Sequence, residues 1–151
     1  MHHRLRGFVF ASVTIFLSSF CMAESKVPEA ALAISASDNG VQWGPCPDFM
    51  PAECRLAVLH GDPAKPNSDV FLKVPAGATL ANHWHSSAER MVLISGQLEV
   101  AYEGQQPSTL MPGMYAYGPA KHPHSAVCRS TESCVLFIAF EGPVDAIPHV
   151  K

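Results

Sequence analysis

His83 and His85 stand two residues apart, Glu89 follows four residues later, and His124 lies further along the chain. In a strand, a spacing of two points both imidazoles to one face and Trp84 to the other. Ser86, Ser87 and Ala88 can turn the chain, so that Glu89 opens a next strand antiparallel to the first and brings its carboxylate back beside the two rings. His124, on a later strand after Pro119, can close the set from the neighbouring side. Three imidazoles and one carboxylate make a borderline-to-hard donor set that suits Fe, Mn, Ni, Cu or Zn. One divalent ion on such a set keeps a formal charge of about +1 and has coordination positions to spare. It can take an anionic or enolisable small molecule in bidentate fashion, polarise its carbonyl, or activate dioxygen.

The elements around these residues read as strands. Arg55 to His60 is a short apolar run after a Pro-rich loop from Trp43 to Glu53. Val70 to Val74 ends at the turn Pro75-Ala76-Gly77, and Thr79 to His85 and Arg90 to Ile94 follow. Gly96-Gln97 turns the chain into Leu98 to Tyr102, where Leu98, Val100 and Tyr102 alternate with more polar neighbours before the turn at Glu103-Gly104. Met114 to Tyr117, Ser125 to Cys128 and Val135 to Phe140 complete the set, the last apolar throughout, as befits a strand covered on both faces. Thirteen prolines and ten glycines punctuate these runs, and the 3.6-residue period of a long helix is missing after residue 37. Short strands joined by tight turns predict an all-β sandwich or barrel, and full closure would remove exposed sheet edges.

On these residues the chain resembles the cupin superfamily. Gly77-x5-His83-x-His85-x3-Glu89-x6-Gly96 matches the first cupin motif at every defined position. Gly113-x5-Pro119, with His124 at the histidine position, matches the second. That motif departs twice: Lys121 stands where glycine is usual, and Cys128 where asparagine is usual. Neither position is normally a ligand, although the shape of the rim near Lys121 is put in doubt. The motifs cover residues 77 to 128, about a third of the chain. The resemblance implies a single-domain double-stranded β-helix, or jelly-roll barrel, with one divalent transition metal on His83, His85, Glu89 and His124. It also implies a homodimer, since small cupins often pair through N-terminal strands.

Other residues near the motifs carry weaker expectations. In His122-Pro123-His124, motif spacing selects His124. His122 is then a loop residue at the rim or, in a sharper reading, a group behind the ligands or near substrate that titrates close to neutral pH. Cys128 lies four after His124 and so shares its face in a regular strand. It is half of a disulfide with Cys134 or a thiol near the metal, and the redox compartment favours the first. Met91, Leu93 and Ser95 share the face of Glu89 and are expected along the cavity wall, with Arg90 pointing away to the surface. Tyr115 and Tyr117 share one face, Met114 and Ala116 the other, and alternation leaves open which faces inward. Phe49 and Met50 either cap the barrel mouth or form satellite core, and His60 reads as structural.

Composition sets the outer bounds. Apolar residues make up 48% of 151 and charged residues 15%, a balance for one folded domain. The formal net charge is −3 with no basic cluster beyond the first residues, which argues against nucleic acid as a partner. Residues 1–23 read as a signal peptide: Arg4 and Arg6 supply the positive start, Phe8 to Phe20 the apolar run, and Cys21-Met22-Ala23 the small residues before Glu24. The run is short for a membrane span, an uncleaved anchor being the alternative. Cleavage removes Arg4 and Arg6, which takes the formal charge from −3 to −5. Residues 24–37 then form an N-terminal tail or short helix, and 38–151 the barrel domain. The mature part keeps Cys46, Cys54, Cys128 and Cys134. An even count in an exported chain predicts disulfides, and short local loops favour Cys46–Cys54 and Cys128–Cys134.

The expectation for function is a metal-dependent enzyme acting on a small organic molecule in the periplasm or outside the cell, with no stable membrane anchor after cleavage. A non-haem oxygenase is the leading subtype, and a cupin isomerase or lyase stands beside it. The alternative is a non-catalytic periplasmic module that binds or senses a metal or a small ligand.

Overall fold

A computed structural model describes residues 29–150. The signal-peptide reading of residues 1–23 and the first part of the tail lie outside the described residues. The compact unit that begins at Ala33 carries every strand. In chain order these are β1 (Gly44–Pro45), β2 (Arg55–His60), β3 (Ser68–Val74), β4 (Thr79–Trp84), β5 (Glu89–Ser95), β6 (Leu98–Tyr102), β7 (Ser108–Leu110), β8 (Tyr115–Gly118), β9 (His124–Cys128), β10 (Cys134–Phe140) and β11 (Ile147–Pro148). All eight expected strands are present. The three short ones, β1, β7 and β11, carry too few residues to show a period.

Two antiparallel sheets face each other as a jelly roll, one in the order β1-β2-β3-β10-β5-β8 and the other β11-β4-β9-β6-β7. Their inner faces enclose the main core, in which Val70, Val74, Leu93, Leu98 and Leu136 are almost completely buried. A second, smaller cluster lies on the outer face of the six-stranded sheet. Val41, Ala57 and Phe71 are buried there under Ile34, Ala36 and Trp43, and the Trp43 and Phe71 rings stack 6.4 Å apart. Central strand β10 is thus apolar on both sides for a reason: Leu136, Ile138 and Phe140 face the inner core, and Phe137 packs in the outer cluster.

The tail offers no helix among its described residues. Asp38 instead closes a turn, its Oδ2 accepting from the Ser35 N–H at 2.6 Å and its own N–H donating to the Ser35 carbonyl at 3.0 Å. Such side-chain bonds compete with helical ones, and packing of Ile34 and Ala36 on the sheet decides the outcome. Both expected disulfides are formed, Cys46–Cys54 and Cys128–Cys134.

The sheets correct one expectation from the sequence. β4 and β5 are consecutive but lie in opposite sheets rather than side by side, so the turn at 86–88 crosses from one wall of the barrel to the other. A second correction concerns Ser95. The β5–β10 register shifts after Leu93, because Ile94 is an extra residue between Leu93↔Leu136 and Ser95↔Val135. The bulge breaks the alternation, so Ser95 is exposed instead of lining the cavity.

Candidate metal centre

Strand β4 positions two of the imidazoles by an irregularity. Leu80 pairs with Ala126 and His83 with His124, so three steps along β4 match two along β9. Ala81 and Asn82 form a bulge opposite Ser125. A regular strand that buried Leu80 would also turn Asn82 and Trp84 inward. The extra residue re-phases the strand, and Leu80, His83 and His85 all face the interior. The peptide groups of the bulge find partners: the Ala81 carbonyl accepts from His83 Nδ1 at 2.7 Å, and the Asn82 carbonyl accepts from the His149 N–H at 2.9 Å.

His124 is the direct cross-strand neighbour of His83, and their ring centroids lie 4.3 Å apart. His85 completes the trio, 4.9 Å from the His83 ring and 5.2 Å from that of His124. Glu89 reaches in from the opposite sheet. Its Oε2 lies 3.4 Å from His85 Nε2 and its Oε1 3.4 Å from His124 Nε2. All four side chains are buried, Glu89 to 2% exposure.

The hydrogen bonds define the ring tautomers. His83 Nδ1 meets the Ala81 carbonyl, His85 Nδ1 the Asp145 carbonyl, and His124 Nδ1 the His122 carbonyl at 3.1 Å. A carbonyl only accepts, so each Nδ1 carries a proton and donates. In the neutral rings each Nε2 then holds a lone pair. Burial pulls the His83 imidazole down to about 4 and that of His124 to about 3, with neighbouring imidazoles adding to the effect. The same burial pushes the Glu89 carboxyl above its ordinary value. Imidazole Nε2 atoms of His85 and His124 thus face carboxyl oxygens in a buried pocket, and Glu89 Oε1 has no hydrogen-bond partner. Such an arrangement calls for a proton or a cation between the groups. The three imidazole donors lie within 4.8 Å of one another, so this buried cluster can hold a metal ion.

The cluster forms the polar end of a cavity of about 430 Å³. The remaining lining is almost wholly apolar, with Met91, Leu98, Val100, Leu136 and Ile138 on the walls. Pro45, Pro47 and Met50 from the Pro-rich loop also line it, and Phe49 tilts against the His83 ring at 6.3 Å. Among the described residues, Asp145 is the one further charged residue on the lining, and no Lys or Arg is among it. Leu93 is buried in core rather than exposed to the cavity. Tyr115 and Tyr117 face outward and Ala116 inward. Arg90 points to the surface and pairs with Glu141.

His122 does not line the cavity. Its Nε2 donates to the Glu103 carbonyl at 2.9 Å, its ring lies 5.6 Å from that of Tyr102, and its main-chain carbonyl orients His124. Cys128 is taken by the disulfide. At Lys121 the residue departs from the motif but the backbone does not: φ is 59°, the left-handed region that glycine enters freely. There its N–H donates to the His85 carbonyl at 2.8 Å. Gly96 is required on two counts, a φ of 90° and a side-chain position only 2.9 Å from Cys134 Sγ.

Sequence reasoning missed Asp145, which arrives from a distant segment. Its carbonyl orients His85, and its Oδ1 accepts from the Ser86 N–H at 2.9 Å. No spacing rule links residues so far apart, and only the pairing of β11 with β4 beside it reveals the contact.

The comparisons agree with this architecture. The cupin domain model matches residues 70–140. No curated protein matches the chain in sequence. Among solved structures, the polyketide cyclase RemF from Streptomyces resistomycificus aligns with a TM-score of 0.64 at 14% identity, over 80% of this chain and 87% of that one. An acetylacetone dioxygenase from Acinetobacter johnsonii aligns with a TM-score of 0.58 at 23% identity, over 78% of both chains. The DMSP lyase DddQ from Ruegeria pomeroyi DSS-3 aligns with a TM-score of 0.62 at 20% identity, over 72% of this chain. This chain spans 60% of that lyase and 63% of a second DMSP lyase chain. With the two facing sheets, the motif residues on the inner wall and the domain match together, residues 70–140 form a cupin domain.

Proposed function

We propose that this cupin is a metal-dependent enzyme acting on a small, mostly apolar organic molecule, with an oxygenase as the leading subtype. One divalent transition metal is held by His83, His85, Glu89 and His124. The observation that carries this reading is the set of three Nδ1–carbonyl bonds that leave each Nε2 free, with those of His85 and His124 3.4 Å from the buried Glu89 carboxyl, on the lining of an apolar cavity. When bound, the ion supplies Lewis acidity and free positions for a chelating ligand or dioxygen.

The chain's own residues do the rest. The carbonyls of Ala81, His122 and Asp145 fix ring orientation and tautomer, which pre-organises the donors. Burial pushes the Glu89 carboxyl up, so without a metal it takes a proton more readily than an ordinary carboxylate does, and a cation competes with that proton. The apolar wall receives the hydrocarbon part of the substrate and excludes water, while the lack of Lys and Arg on the lining disfavours polyanions. The likeness to a fold that serves an acetylacetone dioxygenase supports a small oxygen-chelating substrate. Two disulfides support export to an oxidising compartment.

The test is metal analysis of anaerobically purified protein, followed by oxygen uptake with Fe(II) and a panel of β-diketones, catechols and keto acids. About one metal per chain and substrate-dependent oxygen consumption are expected, on the ligand-set logic. Tight binding of these compounds with no product would replace the enzyme with a binding module.

A further inference from the structure

Tyr102 is the other buried polar group near the centre without a partner. Among the described residues, its hydroxyl and Glu89 Oε1 are the two buried side-chain oxygens that make no hydrogen bond. Both lie against Gly118. Gly118 pairs with Glu89 across β5 and β8, and a side-chain carbon placed on Gly118 would lie 2.7 Å from Glu89 Oε1 and 2.8 Å from the Tyr102 hydroxyl. Both atoms therefore press on one point of the backbone, from opposite sheets. Tyr102 is the cross-strand partner of His124, with ring centroids 4.9 Å apart. Its ring is held from behind by His122, whose Nε2 is itself anchored on the Glu103 carbonyl.

The two oxygens that flank Gly118, one of a carboxyl group and the other of a phenol, differ in what they offer. The carboxylate only accepts and the phenol can donate. Tyr102 is not part of the lining of the cavity described above, and its hydroxyl is buried. We propose that Tyr102 is a positioning residue: its hydroxyl donates to Glu89 Oε1 when the other carboxylate oxygen serves the metal, and Gly118 is glycine because any side chain would part the two. This rests on the metal reading above. A phenol is protonated at neutral pH and so is able to donate.

A double-mutant cycle on Co(II) affinity tests it, measured by competition with a chromophoric chelator in wild type, Tyr102→Phe, Glu89→Gln and the double variant. Tyr102→Phe keeps the ring and removes one atom, and a thermal melt checks that the fold is intact. Loss of such an outer partner weakens metal binding by roughly tenfold to a hundredfold. The same change in the Glu89→Gln background is expected to cost much less, because its acceptor is altered. Gly118→Ala is expected to weaken affinity at least as much as Tyr102→Phe. Wild-type uptake with an unmoved Tyr102→Phe, or an equal loss in both backgrounds, overturns the inference alone. A wild-type protein that takes up no Co(II) overturns the metal reading and this inference with it.

Discussion

Strand β4 gives Leu80 and His83 to the cavity lining, and His85 follows directly after its last residue. Strand β9 does the same with Ala126 and His124, and β5 with Met91 and Glu89. Each of these strands thus carries an apolar residue and a metal-type donor on one inner face, a few residues apart. The apolar region follows the ordinary rule, with walls that bury hydrocarbon and ask nothing of hydrogen bonding. The polar region breaks it by burying four titratable groups, and it is tolerable only because main-chain carbonyls take up every Nδ1 proton. The contrast teaches that stability and chemistry are separable along a single strand.

Substitutions at the two regions should therefore fail in different ways. His124→Ala gives the largest effect on the polar side: metal content is expected to fall from about one per chain to near zero, with the fold retained, as read by elemental analysis and circular dichroism. Leu136→Ala, in the apolar wall, should do the reverse. It is expected to cost about 2–5 kcal/mol in denaturant unfolding and leave metal stoichiometry unchanged. Metal loss in this variant would mean that the regions are coupled. Replacing Cys46 and Cys54 together by Ser opens the mouth loop. A cross-link separated by 8 residues contributes about 2–3 kcal/mol in the chain-entropy treatment, again read by unfolding with metal content unchanged.

Acid should act on the polar region first. His83 and His124, pulled down to about 4 and 3, stay neutral through mild acid and do not compete with a cation there. Glu89, pushed up, does compete. As pH falls through its raised pKa a proton takes the cation's place, so metal affinity should fall by about tenfold per pH unit, or 1.4 kcal/mol, for one proton displaced. Calorimetry in buffers of different ionisation enthalpy would count that proton. The smallest effect belongs to neither region. Arg90 and Glu141 form an exposed pair, so Arg90→Ala should cost less than about 1 kcal/mol.

The donor set was legible because strands alternate: in a β context, His-x-His, a carboxylate after a short turn and a later histidine converge on one inner point. Legibility failed where the backbone departs from regular pairing. The bulge at Ile94, invisible in the run Met91 to Ser95, moved Ser95 to the surface. The sheet change between β4 and β5 was hidden because a short turn reads the same whether it joins neighbours or crosses a barrel. Tyr102 was seen only as an alternating strand residue, since its value lies in an atom near Glu89 and Gly118, contacts made across sheets. Lys121 shows the opposite case, an apparent departure in sequence that the backbone absorbs.

The bulge at Ala81 and Asn82 has an evolutionary corollary. Loss of one codon there would restore regular pairing, with Leu80 and His83 two positions apart, still opposite Ala126 and His124 and still on one inner face. A lineage could thus erase the irregularity in a single heritable event and keep both imidazoles facing inward, whereas a second such loss would turn them to the opposite face.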